Sequence, residues 1–146
     1  MQPYRRLQVA VGCRDPVGLS QFYVDLLGYA REAAPAGFAT LEGWLEARGV
    51  PRGEWDDGRA IVDPEGAGPR IWFHALEHAG VAPGRIHLDF YLGLGPRAPI
   101  AKRKARVDPE VERAVRLGAR VVERVEDGDY YFVTCEDPEG NLFDIA

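Results

Sequence analysis

Asp63-Pro64-Glu65-Gly66 occurs again as Asp137-Pro138-Glu139-Gly140, and this repeated tetrapeptide decides the fold. An Asp-Gly turn precedes each copy, at Asp57-Gly58 and Asp127-Gly128, and a short apolar-rich strand follows each. A single copy would be an ordinary turn, because proline and glycine punctuate loops of many kinds. Two copies in equivalent settings indicate an internal duplication.

Two further marks recur in the same order about half a chain apart. The dipeptides Asp15-Pro16 and Asp108-Pro109 each predict the start of a helix, because aspartate caps helix N-termini and proline suits the first turn. A Leu-Gly pair follows each, at Leu27-Gly28 and Leu117-Gly118, and predicts the helix end. Each half therefore predicts a strand, a helix and then about three strands.

These marks predict one domain over residues 1–146, built from a first module at 1–78 and a second at 85–146. The small-residue stretch from Glu77 to Gly84 is the expected linker. Each module reads as βαβββ, so the predicted fold class is α+β. We expect the two half-sheets to curl against each other and enclose a cleft.

Composition limits the classes of function. The net charge of −5 disfavours nucleic acid as a partner, because phosphate backbones select basic surfaces. No apolar run approaches the ~18 residues of a membrane-spanning helix. The first residues lead into a strand without a signal-peptide core, so the expected location is cytoplasmic. The basic run from Lys102 to Arg106 predicts a solvated helix face more readily than an anion site.

Period-two alternation predicts which polar side chains face the cleft. Ile86, Leu88 and Phe90 form an apolar face under a helix, which leaves His87 and Asp89 on the other face. The same parity brings one side chain from each of four strands to the cleft: Gln8, His74, His87 and Asp144. A one-residue register slip would turn any of them outward.

With these residues in place, the chain resembles the vicinal oxygen chelate superfamily, which includes glyoxalase I, bleomycin-resistance proteins and extradiol dioxygenases. The resemblance rests on the strand 7–11 before Asp15-Pro16, on the run 86–89, and on the closing run 137–144. It spans the whole chain and looks closest to a glyoxalase-like branch with a tryptophan-bearing insert. It implies two modules that form one incurved mixed sheet around a cleft, and a homodimer.

In metal-dependent members of that superfamily, each module supplies one ligand from its first strand and one from its last. The resemblance therefore implies a divalent ion (Zn, Ni, Mn or Fe) with Gln8, His74, His87 and Asp144 as ligands. Gln8 departs from the histidine of ring-cleaving iron enzymes, which use two histidines and a carboxylate, so a dioxygenase is disfavoured. His74 stands where glyoxalases usually carry glutamate, and Asp144 is one methylene shorter than the usual glutamate.

Each candidate also has a structural interpretation. His87 can be a cleft histidine bonded to Asp89 or Asp144, His74 a polar wall residue, and Gln8 an amide anchor for substrate. Asp144 and Asp89 are the candidate catalytic groups, because a carboxylate can move a substrate proton. Five aromatic side chains can line an apolar binding pocket: Trp44, Trp55, Trp72, Tyr91 and Tyr131.

Three functions stay open at this point. The first is a metal-dependent isomerase or lyase, in which the ion acts as a Lewis acid on a small oxygenated metabolite. The second is a metal-free protein that binds and sequesters a small aromatic or cationic compound, as bleomycin-resistance proteins do. The third is a retained fold without an active site, since fold does not determine chemistry.

Overall fold

A computed structural model describes residues 8–75, 88–94, 98–128 and 130–146. The chain divides into two compact units, Met1–Ala79 and Gly80–Ala146, which are called module 1 and module 2 below. The predicted linker at 77–84 and His87 lie outside the described residues. In the described ranges, no helix is both long and apolar enough to cross a membrane.

Module 1 contains one mixed four-stranded sheet and two α-helices. Its elements are β1 (Gln8–Cys13), α1 (Pro16–Leu27), β2 (Ala30–Arg31), α2 (Leu41–Ala47), a 3-10 helix (Arg52–Glu54), β3 (Gly58–Val62) and β4 (Arg70–Ala75). The strand order is β1-β4-β3-β2, with β1 parallel to β4 and the other neighbours antiparallel. The helix α2 is short, and the Thr40 side chain caps it by accepting a hydrogen bond from the Gly43 backbone N–H.

Module 2 repeats this plan without the insert of module 1, which is the segment between β2 and β3 at residues 32–57. Its elements are β5 (Leu88–Phe90), α3 (Ile100–Leu117), β6 (Arg120–Asp127), β7 (Tyr130–Glu136) and β8 (Leu142–Ile145). The strand order is β5-β8-β7-β6, so the first strand of the module lies beside the last, as in module 1. The predicted α+β fold of two βαβββ modules is confirmed.

The helix α1 forms where its local signals predict it. The Asp15 side chain accepts a hydrogen bond from the Gly18 backbone N–H at 2.9 Å, and Gly28 ends the helix in the left-handed region at φ 71°. The buried side follows helical spacing, with Leu19, Phe22, Tyr23 and Leu26 inside. Tyr23 stacks on Phe73 of β4 with ring centroids 5.6 Å apart, so α1 covers one face of the sheet.

The prediction that Asp108-Pro109 opens the second helix is wrong. The helix α3 begins at Ile100 and continues through Pro109, although proline removes one backbone N–H donor inside a helix. Residues 100–107 are mostly good helix formers, and the buried positions form one stripe across the dipeptide: Val107, Val111 and Ala114. Burial of that stripe outweighs the local start signal.

The two repeated turns have the same backbone plan. In each, the glycine N–H donates to the aspartate carbonyl, from Gly66 to Asp63 at 3.0 Å and from Gly140 to Asp137 at 2.9 Å. Both glycines have positive φ values, 72° and 87°, which favour glycine. The aspartate carboxylates accept the neighbouring backbone N–H groups, so both turns are structural.

Candidate functional site

The sheet of module 1 has one face covered by α1 and one opposite face, called the open face of module 1. Ile61, Ile71 and Phe73 lie under α1 and are buried. Strand alternation and register then assign eleven residues to the open face. These residues are Gln8, Ala10, Gly12, Ala30, Glu32, Gly58, Ala60, Val62, Arg70, Trp72 and His74.

The interior strand β4 contributes Arg70, Trp72 and His74 to this face, and the residues beside Trp72 and His74 are small. Trp72 pairs with Ala10 of β1 and with Ala60 of β3. His74 lies between two glycines, Gly12 and Gly58. The open face of module 1 therefore presents a row, Arg70-Trp72-His74, called the β4 row. In this row Trp72 and His74 have only alanine or glycine beside them on both neighbouring strands.

Arg70 is fixed by two partners from distant parts of the module. Its Nε and Nη2 atoms donate to the two carboxylate oxygens of Glu32, each at 2.7 Å, which is a bidentate ion pair. Its Nη1 atom donates to Oε1 of Gln8, also at 2.7 Å. The hydrogen bond from Arg70 lowers the pKa of Glu32, and the same bond raises the pKa of Arg70. The guanidinium is thus held charged in one orientation.

Trp72 lies next to Arg70 and leans over β3. The Arg70 Cζ atom is 5.5 Å from the centroid of the Trp72 ring, which is cation–π distance. A Cβ atom at Gly58 would collide with the far edge of the indole, so glycine is required for the ring to lie there. The indole is half-buried, and its Nε1–H makes no hydrogen bond to the described part of the chain.

His74 ends the β4 row. Its imidazole is half-buried and makes no hydrogen bond or ion pair with residues in the described ranges. Register places Gly12, and not Gln8, beside it. Gln8 and His74 are therefore four residues apart along the sheet, or about 13 Å at the usual rise per residue.

Module 2 has its own open face, opposite α3, where the two candidate catalytic carboxylates lie. Asp89 of β5 and Asp144 of β8 are direct partners in the parallel register. Thr134 of β7 is the next neighbour, and its hydroxyl donates to Oδ1 of Asp144 at 2.7 Å. The structure therefore brings Asp89 and Asp144 together, whereas His87 lies outside the described residues.

Tyr131 is placed differently from the expectation. It alternates with Val133 and Cys135 on the face covered by α3, and only 6% of it is exposed. Its hydroxyl donates to Asp108, and Arg124 donates to that hydroxyl at 3.0 Å. Burial raises the pKa of the Tyr131 phenol. Tyr131 thus joins helix to sheet, on the opposite face from Asp144.

The remaining aromatic candidates are not part of the β4 row. Tyr91 follows β5 and is 77% exposed. Trp44 lies on α2, and the Arg48 guanidinium is 5.2 Å from its ring centroid. Trp55 follows the 3-10 helix and donates from Nε1 to the Val50 carbonyl at 2.8 Å. Of the five predicted aromatic residues, Trp72 alone is in the β4 row.

The donor set of module 1 does not fit a metal ion held jointly by Gln8 and His74. Register separates the two residues, and the Gln8 amide oxygen already accepts a hydrogen bond from a cation. Within the ranges described, no three His, Cys, Asp or Glu side chains are grouped to hold a metal ion. Asp144 and Asp89 are adjacent, and the predicted partner His87 is outside those ranges.

Two residues of this site were not among the predicted ones. Arg70 has a sequence signal, because it precedes Trp72 and His74 at period two and must share their face. Glu32 has none, because the Glu32–Arg70 pair joins positions 38 residues apart and depends on the pairing of β2 with β3.

Comparison with known proteins supports the observed architecture. A family model described as "Glyoxalase-like domain" matches residues 8–146. No curated protein matches the chain. A solved glyoxalase/bleomycin resistance protein/dioxygenase family enzyme from Burkholderia phytofirmans PsJN is similar, with a TM-score of 0.63 and 20% identity over 94% of each chain.

Two further solved structures have the same fold. A possible glyoxalase from Bacillus cereus gives a TM-score of 0.61 at 13% identity, over 97% of this chain and 96% of that one. A lactoylglutathione lyase from Agrobacterium tumefaciens gives 0.56 at 16% identity, over 99% and 94%. At these identities the similarity shows the fold and leaves the activity open.

Proposed function

Because this chain belongs to the glyoxalase-like domain family, we propose that it is a small-molecule binding protein whose ligand lies on the open face of module 1. The observation that supports this most directly is the β4 row. It combines a planar aromatic ring and an imidazole, both with alanine or glycine beside them, and a fixed guanidinium. Small-molecule sites typically combine apolar surface with a few placed polar groups in this way.

Electrostatics favours metal-free binding in module 1. A divalent ion on the Gln8 amide oxygen would lie close to the Arg70 guanidinium, which is 2.7 Å from the same oxygen. Two unit charges at 4 Å interact by about 4 kcal/mol at an effective dielectric of 20, and the Glu32 carboxylate paired with Arg70 offsets only part of the repulsion on a dication. An amide oxygen does not compensate such a cost, so an organic ligand suits this position better.

Ligand binding after metal removal tests the proposal. We expect planar aromatic compounds to bind protein treated with EDTA, as measured by isothermal titration calorimetry. Trp72→Ala removes the ring of the β4 row, whereas Trp44→Ala removes a tryptophan of the insert and is the matched control. Binding lost in Trp72→Ala and retained in Trp44→Ala supports the proposal. Binding that disappears with EDTA contradicts the proposal, and so does an affinity that is unchanged in folded Trp72→Ala protein.

A metal-dependent isomerase or lyase for a small oxygenated metabolite is the second candidate. The observation that favours it is the pairing of Asp89 with Asp144 on the open face of module 2, beside the Thr134 hydroxyl. In this candidate Asp144 and His87 hold a divalent ion, and Asp89 is the group nearest to move a proton. No reaction step follows from the described residues.

Elemental mass spectrometry separates the two candidates. Near one equivalent of a divalent transition metal in the native protein, lost in both His87→Ala and Asp144→Ala, would support the enzyme. A protein that takes up no Mn, Fe, Co, Ni or Zn would reject it. Thr134→Val is a matched control, since it removes the hydroxyl partner of Asp144 and keeps the carboxylate.

The proposal also includes a homodimer, which the family resemblance supports, and a cytoplasmic location. Light scattering after gel filtration measures the first. A mass of one chain at micromolar concentration would contradict the dimer.

A further inference from the structure

We propose that the ligand of module 1 is a planar organic anion, an aromatic carboxylate, and that Arg70 selects it against cationic compounds. This inference rests on the binding function proposed above and adds the charge of the ligand. It concerns the β4 row and its two partners, Gln8 and Glu32.

Each tryptophan ring of this chain already has an arginine guanidinium beside it. A guanidinium carbon lies 5.2 to 5.5 Å from the ring centroid of each one, in the pairs Arg48–Trp44, Arg52–Trp55 and Arg70–Trp72. Recognition of a cationic ligand by an aromatic cage needs a free ring face. A ligand cation on the ring face of Trp72 that Arg70 occupies would compete with Arg70 and be repelled by its positive charge.

Arg70 presents donors to a ligand in a fixed direction. A guanidinium has five N–H groups, and the bonds to Glu32 and Gln8 use three of them. Two N–H groups therefore remain, and 35% of the side chain is exposed. Because the arginine is held from two sides, a ligand carboxylate pays little ordering entropy to bind it.

The other polar groups of the β4 row are also suited to an acceptor. The indole N–H of Trp72 and the imidazole of His74 make no hydrogen bond to the described residues. Glu32 is the single acidic side chain among the eleven residues of the open face, and both of its oxygens accept from Arg70. The face therefore offers N–H donors to an anion, and its one carboxylate is engaged by Arg70, with which it balances charge.

Three probes of one shape and different charge test the inference: 2-naphthoate, 2-naphthamide and (2-naphthylmethyl)ammonium. Affinity is measured by calorimetry on EDTA-treated protein, and the Trp72 indole N–H signal is followed by NMR. We expect naphthoate to bind most tightly and to shift that signal. Loss of a charge-assisted hydrogen bond weakens binding by about tenfold or more, so naphthamide should be weaker by that factor.

Variants assign the preference to Arg70. Arg70→Gln should weaken naphthoate by about tenfold and naphthamide by less than about twofold. Glu32→Gln removes the competing carboxylate and should tighten naphthoate roughly threefold. Arg48→Gln breaks the equivalent arginine–tryptophan pair on α2 and should change neither affinity. An unchanged Trp55 indole signal shows that each variant is folded, and an unchanged Trp44 signal adds the same check for the Arg70 and Glu32 variants.

The outcomes distinguish a failure of this inference from a failure of the binding function on which it rests. Ammonium bound more tightly than naphthoate, with the Trp72 signal shifted, overturns the anion preference and retains the binding function. Equal weakening of naphthoate and naphthamide by Arg70→Gln overturns the role of Arg70 as a charge selector. No binding of any probe, with an unmoved Trp72 signal, overturns both.

Discussion

Asp15-Pro16 in module 1 and Asp108-Pro109 in module 2 are the same dipeptide with different physical roles. Asp15 caps α1 through the Gly18 N–H, and Pro16 occupies the first turn. Asp108 lies inside α3, and its carboxylate accepts from Tyr131 and Arg124. One copy starts a helix, whereas the other joins a longer helix to the sheet.

The repeated turns differ in a second way, although their backbones match. The Asp63 carboxylate accepts three backbone N–H groups near the surface, which lowers its pKa. The Asp137 carboxylate is only 4% exposed and accepts two backbone N–H groups and the Asn141 side-chain amide. The two copies of the repeated sequence therefore share backbone geometry but differ in burial and in chemical role.

The largest expected effect tests whether the two module cores are equivalent. Phe73 and Phe143 lie in the last strand of their modules, and both are 0% exposed. We expect Phe73→Ala and Phe143→Ala each to lower the free energy of unfolding by about 3–5 kcal/mol, through lost burial and the cavity left behind. Urea unfolding followed by circular dichroism measures this. Phe38→Ala, at a 39% exposed side chain, is the control. A loss below about 1 kcal/mol in either core variant would show that the cores are not equivalent.

A smaller effect should separate the two turns. Asp137→Ala removes a buried acceptor of three hydrogen bonds and should cost about 3 kcal/mol of unfolding free energy. Asp63→Ala should cost less, because solvent can replace the carboxylate for its backbone donors. Thermal unfolding of both variants beside Glu65→Ala and Glu139→Ala as controls gives the comparison. Equal losses at the two aspartates would remove the difference in burial as an explanation.

The two prolines should respond with opposite signs. Pro109→Ala restores an N–H donor inside α3 and should raise the unfolding free energy by about 1–2 kcal/mol. Pro16→Ala loses the preset backbone of the first turn and should lower it by about 0.5 kcal/mol. Denaturant midpoints report both values. A destabilised Pro109→Ala would show that Pro109 has a packing role in α3 that outweighs its helix cost.

The smallest effect is a pH dependence confined to module 1. The Arg70 hydrogen bond depresses the pKa of Glu32 in the folded state. The stability it contributes is therefore complete above the unfolded value of about 4.3 and is lost as the pH falls through the depressed folded value. Wild type should exceed Glu32→Gln by about 0.5 kcal/mol at neutral pH, after discounting for exposure, and by nothing in strong acid. An advantage that persists in acid would mean that the charge of Glu32 is not its source.

The sequence predicted the order of elements and most strand faces, because period-two alternation is strong in β4 and β8. Parity placed Trp72, His74 and Asp144 on the faces opposite the helices, and the register agrees. The same rule applied to Tyr131, Val133 and Cys135 gives the covered face that the structure shows. Residue type alone assigns Tyr131 to the ligand pocket, whereas its alternation with Val133 and Cys135 assigns it to the face covered by α3.

Other features depend on contacts that no local pattern encodes. The start of α3 follows from burial of Val107 and Val111 on both sides of Pro109, which overrides the cap signal of Asp108. The bond from Arg70 to Glu32 needs β2 to pair with β3 in one register. Helix length and the polar network therefore became known only from the packed chain.

The alternation along β4 has a consequence for how this protein can change. Positions 70, 72 and 74 carry the side chains of the open face, whereas Ile71 and Phe73 between them are buried at 3% and 0% exposure. A saturation-mutagenesis survey of this strand should show folding stability that falls most at positions 71 and 73 and less at positions 70, 72 and 74. At the proposed ligand site, substitutions at these three positions would therefore change the ligand-facing side chains and leave the core positions Ile71 and Phe73 intact.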